Sequence, residues 1–417
     1  MGGNRHLEEQ PAMSSISTRD RPRPTALRAA WLFDGTGDTR TPDPLVVIEG
    51  ARIVSVGFGA VAPSEAEVVD LGDATLLPGL VDTHVHLAFD AGWDPVTALA
   101  DRSDDEVLAS MRQAGRTALA GGVTTMRDLG DRDYLSLGLR GDDEMPTLLT
   151  AGPPITTPAG HCHFLGGVAG TGAAGVRAAV RQHVDRGVDV VKIMATGGVM
   201  TPGSQQHLAQ FSPAELQAAV EEAHRWGLPI TAHAHATAGI VNAVAAGVDG
   251  IEHASFWSED GVDEPGDLIQ AMAERGIVVG ATVGLVPVPG AVPPPGLAER
   301  MPAVMAIGAR MRQAGVRLAA GTDAGIAPVK PHDALRHAVP QLMALGMSVP
   351  EAMRTITSVA AEVCGLADRK GRIAVGYDAD LLAVGGDPLS RPEDIHRIQA
   401  VYSRGRLVAG PAGTSTS

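Results

Sequence analysis

The chain has 417 residues, 51 of them glycine and 29 proline, and these punctuate apolar runs without a fixed period, which excludes a collagen-like or disordered protein. A formal net charge of −15 and a sequence pI near 5.3 argue against nucleic acid or an anionic membrane as a partner. Two distant cysteines, Cys162 and Cys364, and the lack of a signal-peptide or membrane-spanning run predict a cytoplasmic protein without disulfides. An oligomer of identical chains is compatible with these features.

The two ends of the chain differ in texture from its middle. Residues 1–24 are polar and rich in arginine and proline, and we expect them to be disordered. Short alternating segments joined by glycine-rich turns fill residues 25–75 and return in 368–412. We predict that both ends build one small β-sandwich.

The middle, residues 76–367, alternates short β-branched runs with longer alanine-rich stretches of helical spacing. One helix start is marked by a capping serine, a proline and a glutamate in Ser212–Glu215, and Gly227 should close that helix. The candidate strands are Thr75–Val81, Val123–Asp128, Thr147–Ala151, Val188–Met194, Pro229–His233, Gly250–His253, Ile277–Ala281 and Leu318–Thr322. Eight such units predict an α/β fold, a (β/α)8 TIM-type barrel carrying the sandwich.

The first barrel strand ends in two histidines, His84 and His86. Alternate residues of a strand point to one side, so both imidazoles should project together at the active-site mouth. They form half of a site for a divalent metal. A pair of histidines on a solvated strand end explains this short pattern equally well.

The fourth strand carries Lys192 among apolar neighbours, where an unpaired ammonium is costly to bury. A salt bridge to a carboxylate is one interpretation. The other is that burial lowers the lysine pKa, and the neutral amine takes up CO2 to form a carbamate able to bridge two metals.

Three more strands end in residues that can bind metal. His233 and His235 follow strand five, His253 follows strand six and Asp323 follows strand eight. The resulting candidate ligands all lie at one rim, which scattered core histidines would not produce: His84, His86, Lys192, His233, His253 and Asp323.

These motifs, in this order, resemble the amidohydrolase superfamily, and within it the imidazolonepropionase-like group that includes prolidase-like carboxylated-lysine dipeptidases and ochratoxin-hydrolysing amidases. The likeness covers roughly residues 26–410. The matching stretches are Pro78–His86, Gly122–Asp128, Val191–Gly198, His233–His235, Gly250–His253 and Gly321–Gly325.

The resemblance implies two divalent metal ions, with zinc expected. His84, His86 and Asp323 would bind the more buried ion, and His233 and His253 the more exposed one. A CO2-derived carbamate on Lys192 would bridge them.

Other polar residues are predicted to contact the substrate. His161 lies where the group often has a Gly-Gly-His turn, here with Ala159 in place of the first glycine, and it either contacts the scissile carbonyl or is an ordinary loop histidine. Cys162 beside it is interpreted as an incidental thiol. His235, His163 and Trp257 are the predicted substrate contacts.

Three charged or polar residues and one loop are candidates for setting the substrate specificity. Arg127, Lys330 and His332 are candidate receivers of a substrate carboxylate. The proline-rich loop 286–296 either walls an apolar pocket or crosses the surface.

The predicted reaction is hydrolysis of an amide C–N bond by a metal-bridging hydroxide, in a peptide, an N-acyl amino acid or a peptide natural-product precursor. Asp323 would serve as general base and then general acid, and His161 would stabilise the oxyanion. Another hydrolase acting on a cyclic amide, carbamate, lactone or phosphotriester is the alternative. A mononuclear deaminase would normally lack Lys192, and a non-catalytic scaffold would be expected to have lost ligands.

Overall fold

The computed structural model describes residues 23–294 and 296–410. The predicted disordered segment, residues 1–24, falls almost entirely on residues 1–22, which lie outside these ranges. Within the described ranges, no helix is both long and apolar enough to cross a membrane.

Seven strands precede the barrel. They are β1 Thr25–Arg28, β2 Trp31–Leu32, β3 Thr41–Pro42, β4 Pro44–Glu49, β5 Arg52–Phe58, β6 Glu67–Asp70 and β7 Ala74–Pro78. A four-stranded sheet has the order β5-β4-β1-β6.

Eight parallel strands then alternate with helices. The strands are β8 Leu80–Val85, β9 Val123–Asp128, β10 Thr147–Thr150, β11 Val191–Met194, β12 Ile230–Ala236, β13 Gly250–Trp257, β14 Val278–Thr282 and β15 Leu318–Gly321. The helices are α1 Pro95–Ala100, α2 Asp104–Ala120, α3 Gly172–Arg186, α4 Pro213–Arg225, α5 Thr237–Ala246, α6 Gly266–Glu274, α7 Leu297–Gln313, α8 Ala338–Ala344, α9 Val349–Thr355 and α10 Ser358–Val363. Short 3-10 helices lie at Leu135–Leu139, His163–Leu165, Ala334–His337 and Pro392–His396.

Hydrogen bonds at two places close the strands into a barrel. Parallel pairing runs through β8, β9 and β10 and separately through β11 to β15. Between β10 and β11, the N–H of Ile155 donates to the Lys192 carbonyl at 2.8 Å. Between the last and first strands, the N–H of Asp323 donates to the His84 carbonyl at 2.7 Å. The predicted (β/α)8 barrel is confirmed.

The chain end adds β16 Leu381–Gly385, β17 Ile398–Ser403 and β18 Arg406–Ala409. These join early strands in a six-stranded sheet of order β18-β17-β16-β7-β2-β3. Leu77 of β7 pairs with Leu382 of β16 in antiparallel register. One β unit is thus built from both chain ends, as predicted.

The predicted first barrel strand, Thr75–Val81, needs correction. Ala74–Pro78 belongs to the six-stranded sheet, and the barrel strand begins at Leu80, so the composite β unit extends past the predicted boundary at residue 75. The change of sheet occurs at Gly79, where a Cβ would lie 2.2 Å from Oγ1 of Thr124. Only glycine allows the chain to cross so close to β9.

The other predicted strands match observed ones to within a few residues at their ends. The predicted cap of α4 is also present. The side chain of Ser212 accepts from the N–H of Glu215, and the Glu215 carboxylate accepts from the N–H of Ser212. Gly227, with φ of +71°, follows the helix in the left-handed region. Helices such as α4 and α5 pack against the barrel strand β12 and so support the strand end that carries His233 and His235.

Candidate active site

A narrow cavity of about 50 Å³ opens at the C-terminal ends of the barrel strands. All six predicted metal ligands line it, together with His161 and His235. Its lining residues are His84, His86, Phe89, His161, Cys162, Lys192, Met194, Val199, Met200, His233, His235, His253, Asp323 and Ile326.

The first group of metal donors comprises His84, His86 and Asp323, whose ligand atoms all lie within 4.8 Å of one another. The Nε2 atoms of His84 and His86 are 3.2 Å apart. Oδ1 of Asp323 is 3.5 Å from Nε2 of His84 and 3.3 Å from Nε2 of His86. The Nδ1 atom of His86 is 2.9 Å from the Gly130 carbonyl oxygen, so it must carry the proton. The lone pair at Nε2 therefore faces the group, and a cation shared by these atoms fits this buried donor set.

The second donor group comprises His233, His235 and His253, again within 4.8 Å. The rings of His235 and His253 stack with centroids 4.4 Å apart, and the centroids of His233 and His253 are 4.7 Å apart. Nδ1 of His235 is 2.7 Å from Oγ of Ser255. The structure thus places His235 among the candidate metal donors as well as in the cavity lining, whereas the sequence interpretation gave it a substrate contact.

Lys192 lies at the cavity floor with 1% of its surface exposed. Its Nζ is 3.4 Å from Nε2 of His84. Burial lowers the pKa of this amine, although Glu252 and Asp323 act in the opposite direction. No carboxylate lies within ion-pair distance of Nζ in the described part of the chain. The salt-bridge interpretation of Lys192 therefore finds no partner.

The Asp323 side chain is positioned by its backbone conformation and by contact with Lys330. Its backbone is left-handed, with φ of +58°, and its Oδ2 lies 3.4 Å from Nζ of Lys330. Burial would raise the pKa of this carboxyl, but Lys330 and His84 more than offset that effect and hold it well below its usual value. Asp323 is therefore an ionised acceptor at the cavity floor.

His161 faces the second donor group, with its ring centroid 4.8 Å from that of His233. Burial lowers its pKa to about 3, so the ring is neutral. A Cβ on Gly198 would lie 2.3 Å from Nε2 of His161, so this glycine makes room for the imidazole. Burial raises the pKa of the Cys162 thiol to about 12, which keeps it protonated and supports the interpretation of an incidental thiol.

Two predicted substrate contacts lie away from the cavity lining. His163 is exposed, and its Nδ1 is 3.0 Å from the Gly160 carbonyl oxygen of its own turn. Trp257 is buried behind His235, with ring centroids 5.6 Å apart, and the Arg300 guanidinium covers its other side at 4.9 Å. The structure brings neither side chain to the cavity.

The three candidate receivers of a substrate carboxylate are bound to other protein groups instead. Arg127 donates to the Thr83 carbonyl at 2.7 Å and to Glu252 at 3.3 Å, inside the barrel. Lys330 donates to the Thr322 carbonyl at 2.9 Å as well as to Asp323. Nε2 of buried His332 is 3.3 Å from the His86 carbonyl oxygen. None of the three lines the cavity.

Sequence reasoning missed Glu252, which lies beneath the first donor group. Its Oε2 is 3.2 Å from Nδ1 of His84, and its Oε1 accepts from Thr231 Oγ1 at 2.8 Å. Burial would raise the pKa of this carboxyl, but His84 and Arg127 hold it well below its usual range. The sequence did offer one signal for Glu252: an acidic residue stands inside an apolar strand, next to the predicted ligand His253.

Asp82 was missed too. Its Oδ1 accepts from the N–H groups of Thr322 and His84, and its Oδ2 accepts from the Thr322 hydroxyl at 2.6 Å. Burial raises the pKa of Asp82 to about 6. This side chain ties the end of β8 to the end of β15, and so fixes the distance between the two histidines and Asp323.

A larger cavity, about 270 Å³, lies at the opposite end of the barrel. The N-terminal ends of β12 to β15 contribute to its wall, and Arg127 and Glu252 reach it from inside the barrel. Both donor groups lie at the other end, which identifies the narrower cavity as the chemical site.

Residues 75–408 match the Amidohydrolase family. Over 453 aligned residues the chain is 30% identical to an ochratoxinase from Aspergillus niger, covering 97% of this chain and 90% of that protein. The chain belongs to the amidohydrolase family. An imidazolonepropionase from Cereibacter sphaeroides is 30% identical over 394 residues, covering 85% of this chain and 91% of that protein.

Among solved structures, a Xaa-Pro dipeptidase with bound methionine matches this amidohydrolase with a TM-score of 0.80 and 27% identity, over 92% of this chain and 99% of that one. Together with the family match, this makes the protein a hydrolase of amide C–N bonds.

Proposed function

We propose that this amidohydrolase holds two divalent metal ions, zinc being the expected metal, and cleaves the amide bond of a peptide or N-acyl-amino-acid-like substrate. One observation carries the proposal: two separate donor groups and an unpaired buried lysine converge on a single cavity. His84, His86 and Asp323 would hold one ion, His233 and His253 the other, and a carbamate on Lys192 would join them.

The donor chemistry supports this assignment. Imidazole nitrogens and a carboxylate suit zinc, and a neutral lysine amine is the form that adds to CO2. Bound cations would lower the pKa of a water molecule and polarise the scissile carbonyl. His235 belongs to the second donor group and would be a further ligand of the ion held there.

The protein's own groups supply proton transfer and orientation. Asp323 would accept a proton from the attacking water at Oδ and deliver it to the leaving nitrogen as the C–N bond breaks. Lys330 and the Asp323 backbone fix the direction of that carboxylate. His161 is neutral, and Gly198 leaves room for its ring. Its N–H would donate a hydrogen bond to the developing oxyanion.

The similarity to a Xaa-Pro dipeptidase and an ochratoxinase supports an amide substrate of the peptide or N-acyl-amino-acid kind, and a peptide natural-product precursor is a larger member of that class. The similarity to an imidazolonepropionase supports a cyclic amide as the second candidate.

Elemental analysis with a substrate screen tests the proposal. Protein purified without chelator should contain close to two divalent ions per chain and should cleave members of a panel of dipeptides, N-acyl amino acids and short peptides. The same panel should include a cyclic amide, a lactone and a phosphotriester. At most one ion under metal-replete conditions, or turnover restricted to the lactone or phosphotriester, would contradict the proposal.

A further inference from the structure

We propose that the preferred substrate has apolar groups on both sides of the scissile bond and no charge beside it, and that Met200 and Ile326 select for it. This inference rests on the proposed amide hydrolysis and narrows its substrate class. It favours internal peptide-like amides over N-acyl amino acids with a free α-carboxylate.

The walls of the cavity carry the inference. Besides the histidines, Lys192 and Asp323, its lining consists of aliphatic, aromatic and sulfur-containing side chains: Phe89, Cys162, Met194, Val199, Met200 and Ile326. Phe89 is fully buried and its ring packs edge-on against His86 at 5.9 Å, so this wall is fixed. Apolar substituents gain free energy by packing against these side chains, whereas a carboxylate held against them, away from the metal donors, would lose its hydration without a partner.

The basic side chains near the site are already engaged. Lys192 is the one lysine or arginine among the described residues that line the cavity, and its Nζ faces His84 at the floor. Lys330 donates to Asp323 and to the Thr322 carbonyl, and Arg127 is bound to Glu252 inside the barrel. A substrate carboxylate would have to compete with a protein group already in contact with each of these cations.

The loops around the mouth extend the apolar surface. Several large apolar side chains are exposed on loops that follow barrel strands, and such loops all lie on the catalytic face. They are Trp93, Val168, Val199, Leu208, Leu285 and Val292. Val199 is 55% exposed and also lines the cavity, so the outer surface and the cavity wall are continuous at this residue. An extended apolar substituent that leaves the cavity at Val199 would cover apolar surface that otherwise faces water.

Two matched substrate comparisons test the inference on the metal-loaded protein. The first compares N-octanoylphenethylamine with N-octanoylphenylalanine, which differ only in the α-carboxylate. The second compares acetyl, butanoyl and octanoyl amides of phenethylamine. We expect kcat/KM to be at least tenfold higher for the uncharged amide and to rise along the acyl series by up to about fourfold for each methylene buried.

Variants assign the preference to named residues. Met200→Ser and Ile326→Ser should each lower the octanoyl-to-acetyl ratio of kcat/KM several-fold, and this ratio is independent of the fraction of active protein. Val61→Ser makes a comparable change at a position 91% exposed on the composite β unit and should leave the ratio unchanged. Faster turnover of the carboxylate-bearing amide, or a flat acyl series, would overturn the inference and leave amide hydrolysis standing. No hydrolysis of any amide in the full panel would overturn the proposed function as well.

Discussion

Oε2 of Glu252 lies 3.2 Å from Nδ1 of His84, and neither atom has a hydrogen-bond partner of good geometry among the described residues. The carboxylate is fixed at its other oxygen by Thr231 and Arg127. A carboxylate at this position keeps the proton on Nδ1 and leaves the Nε2 lone pair directed at the first donor group.

Glu252→Gln should therefore weaken metal binding about 10- to 100-fold, because the amide keeps the size of the side chain but loses its charge. The measurement is metal content after dialysis against graded chelator, beside kcat at saturating metal. Glu222→Gln is a matched control, since Glu222 is a buried carboxylate paired with Arg181 on the outer helix α4. Equal metal retention in both variants would show that Glu252 has no influence on the site.

The two buried lysines of the described chain, Lys370 and Lys192, differ in whether they have carboxylate partners, so we expect different roles for them. Nζ of Lys370 lies 2.9 Å from Asp378 and also pairs with Asp380, whereas Lys192 has no such partner. Lys192→Ala should abolish activity and release at least one metal ion. Short carboxylates added with bicarbonate should partly restore the activity.

Lys370→Met should act on stability alone. Asp380 would be left buried without its cation and Asp378 would keep only Arg52, so the melting temperature should fall while metal content per folded chain stays that of the wild type. Full metal content and full activity in Lys192→Ala would make Lys192 a structural residue and would remove the joined two-metal site.

Asp323→Asn separates proton transfer from metal binding. The amide oxygen can still face a cation, but it cannot accept a proton at neutral pH. We expect kcat to fall about 10²- to 10⁴-fold while at least one metal ion and the melting temperature are retained. Asp333→Asn, at a surface pair with Arg336, is the control. Wild-type kcat in a metal-loaded Asp323→Asn protein would mean that His161 or His235, and not Asp323, transfers the proton.

Asp131 should make the protein less stable as the pH rises. Burial, reinforced by the nearby charge of Asp128, raises the pKa of Asp131 to about 8 in the folded protein, from an ordinary value of 3.8. Between these values the folded state holds a proton that the unfolded state has lost, so the free energy of unfolding decreases with pH.

Asp131→Asn removes this dependence and can still accept from the Ser136 N–H. The difference in unfolding free energy, variant minus wild type, should grow in favour of the variant between pH 4 and 8, by at most about 1.4 kcal/mol per pH unit. Chemical denaturation of both proteins at several pH values measures it. A difference that does not change with pH would mean that Asp131 has an ordinary pKa.

The sequence predicted the barrel and the convergence of the candidate metal donors on one cavity because both depend on local patterns. Apolar runs locate strands, and residues at their C-terminal ends meet at one rim whatever the details of packing. The resemblance to a known family added the grouping of the donors.

Glu252 escaped prediction for a physical reason. Neighbouring residues of a regular strand point to opposite faces, so His253 as a cavity ligand would turn Glu252 away. The structure breaks the alternation with left-handed backbone at His253, φ of +73°, and at Ala254, φ of +47°. Non-glycine residues rarely adopt this conformation, and no local pattern announces it. Arg127 and Trp257 were misplaced because a strand-end position does not reveal which partner a long side chain reaches.

The change of sheet at Gly79 bears on how the protein assembles. A single glycine separates β7, which pairs with β16 near the end of the chain, from β8, which leads into His84 and His86, two of the proposed metal ligands. During synthesis β7 has no partner on its β16 side until residues near 385 have emerged from the ribosome. Contacts between residues so distant in sequence form slowly, and an unpaired strand edge is prone to association in the meantime. Loss of residue 381 and all that follow it would therefore leave a nascent chain with an open β edge one residue away from the strand that carries His84 and His86.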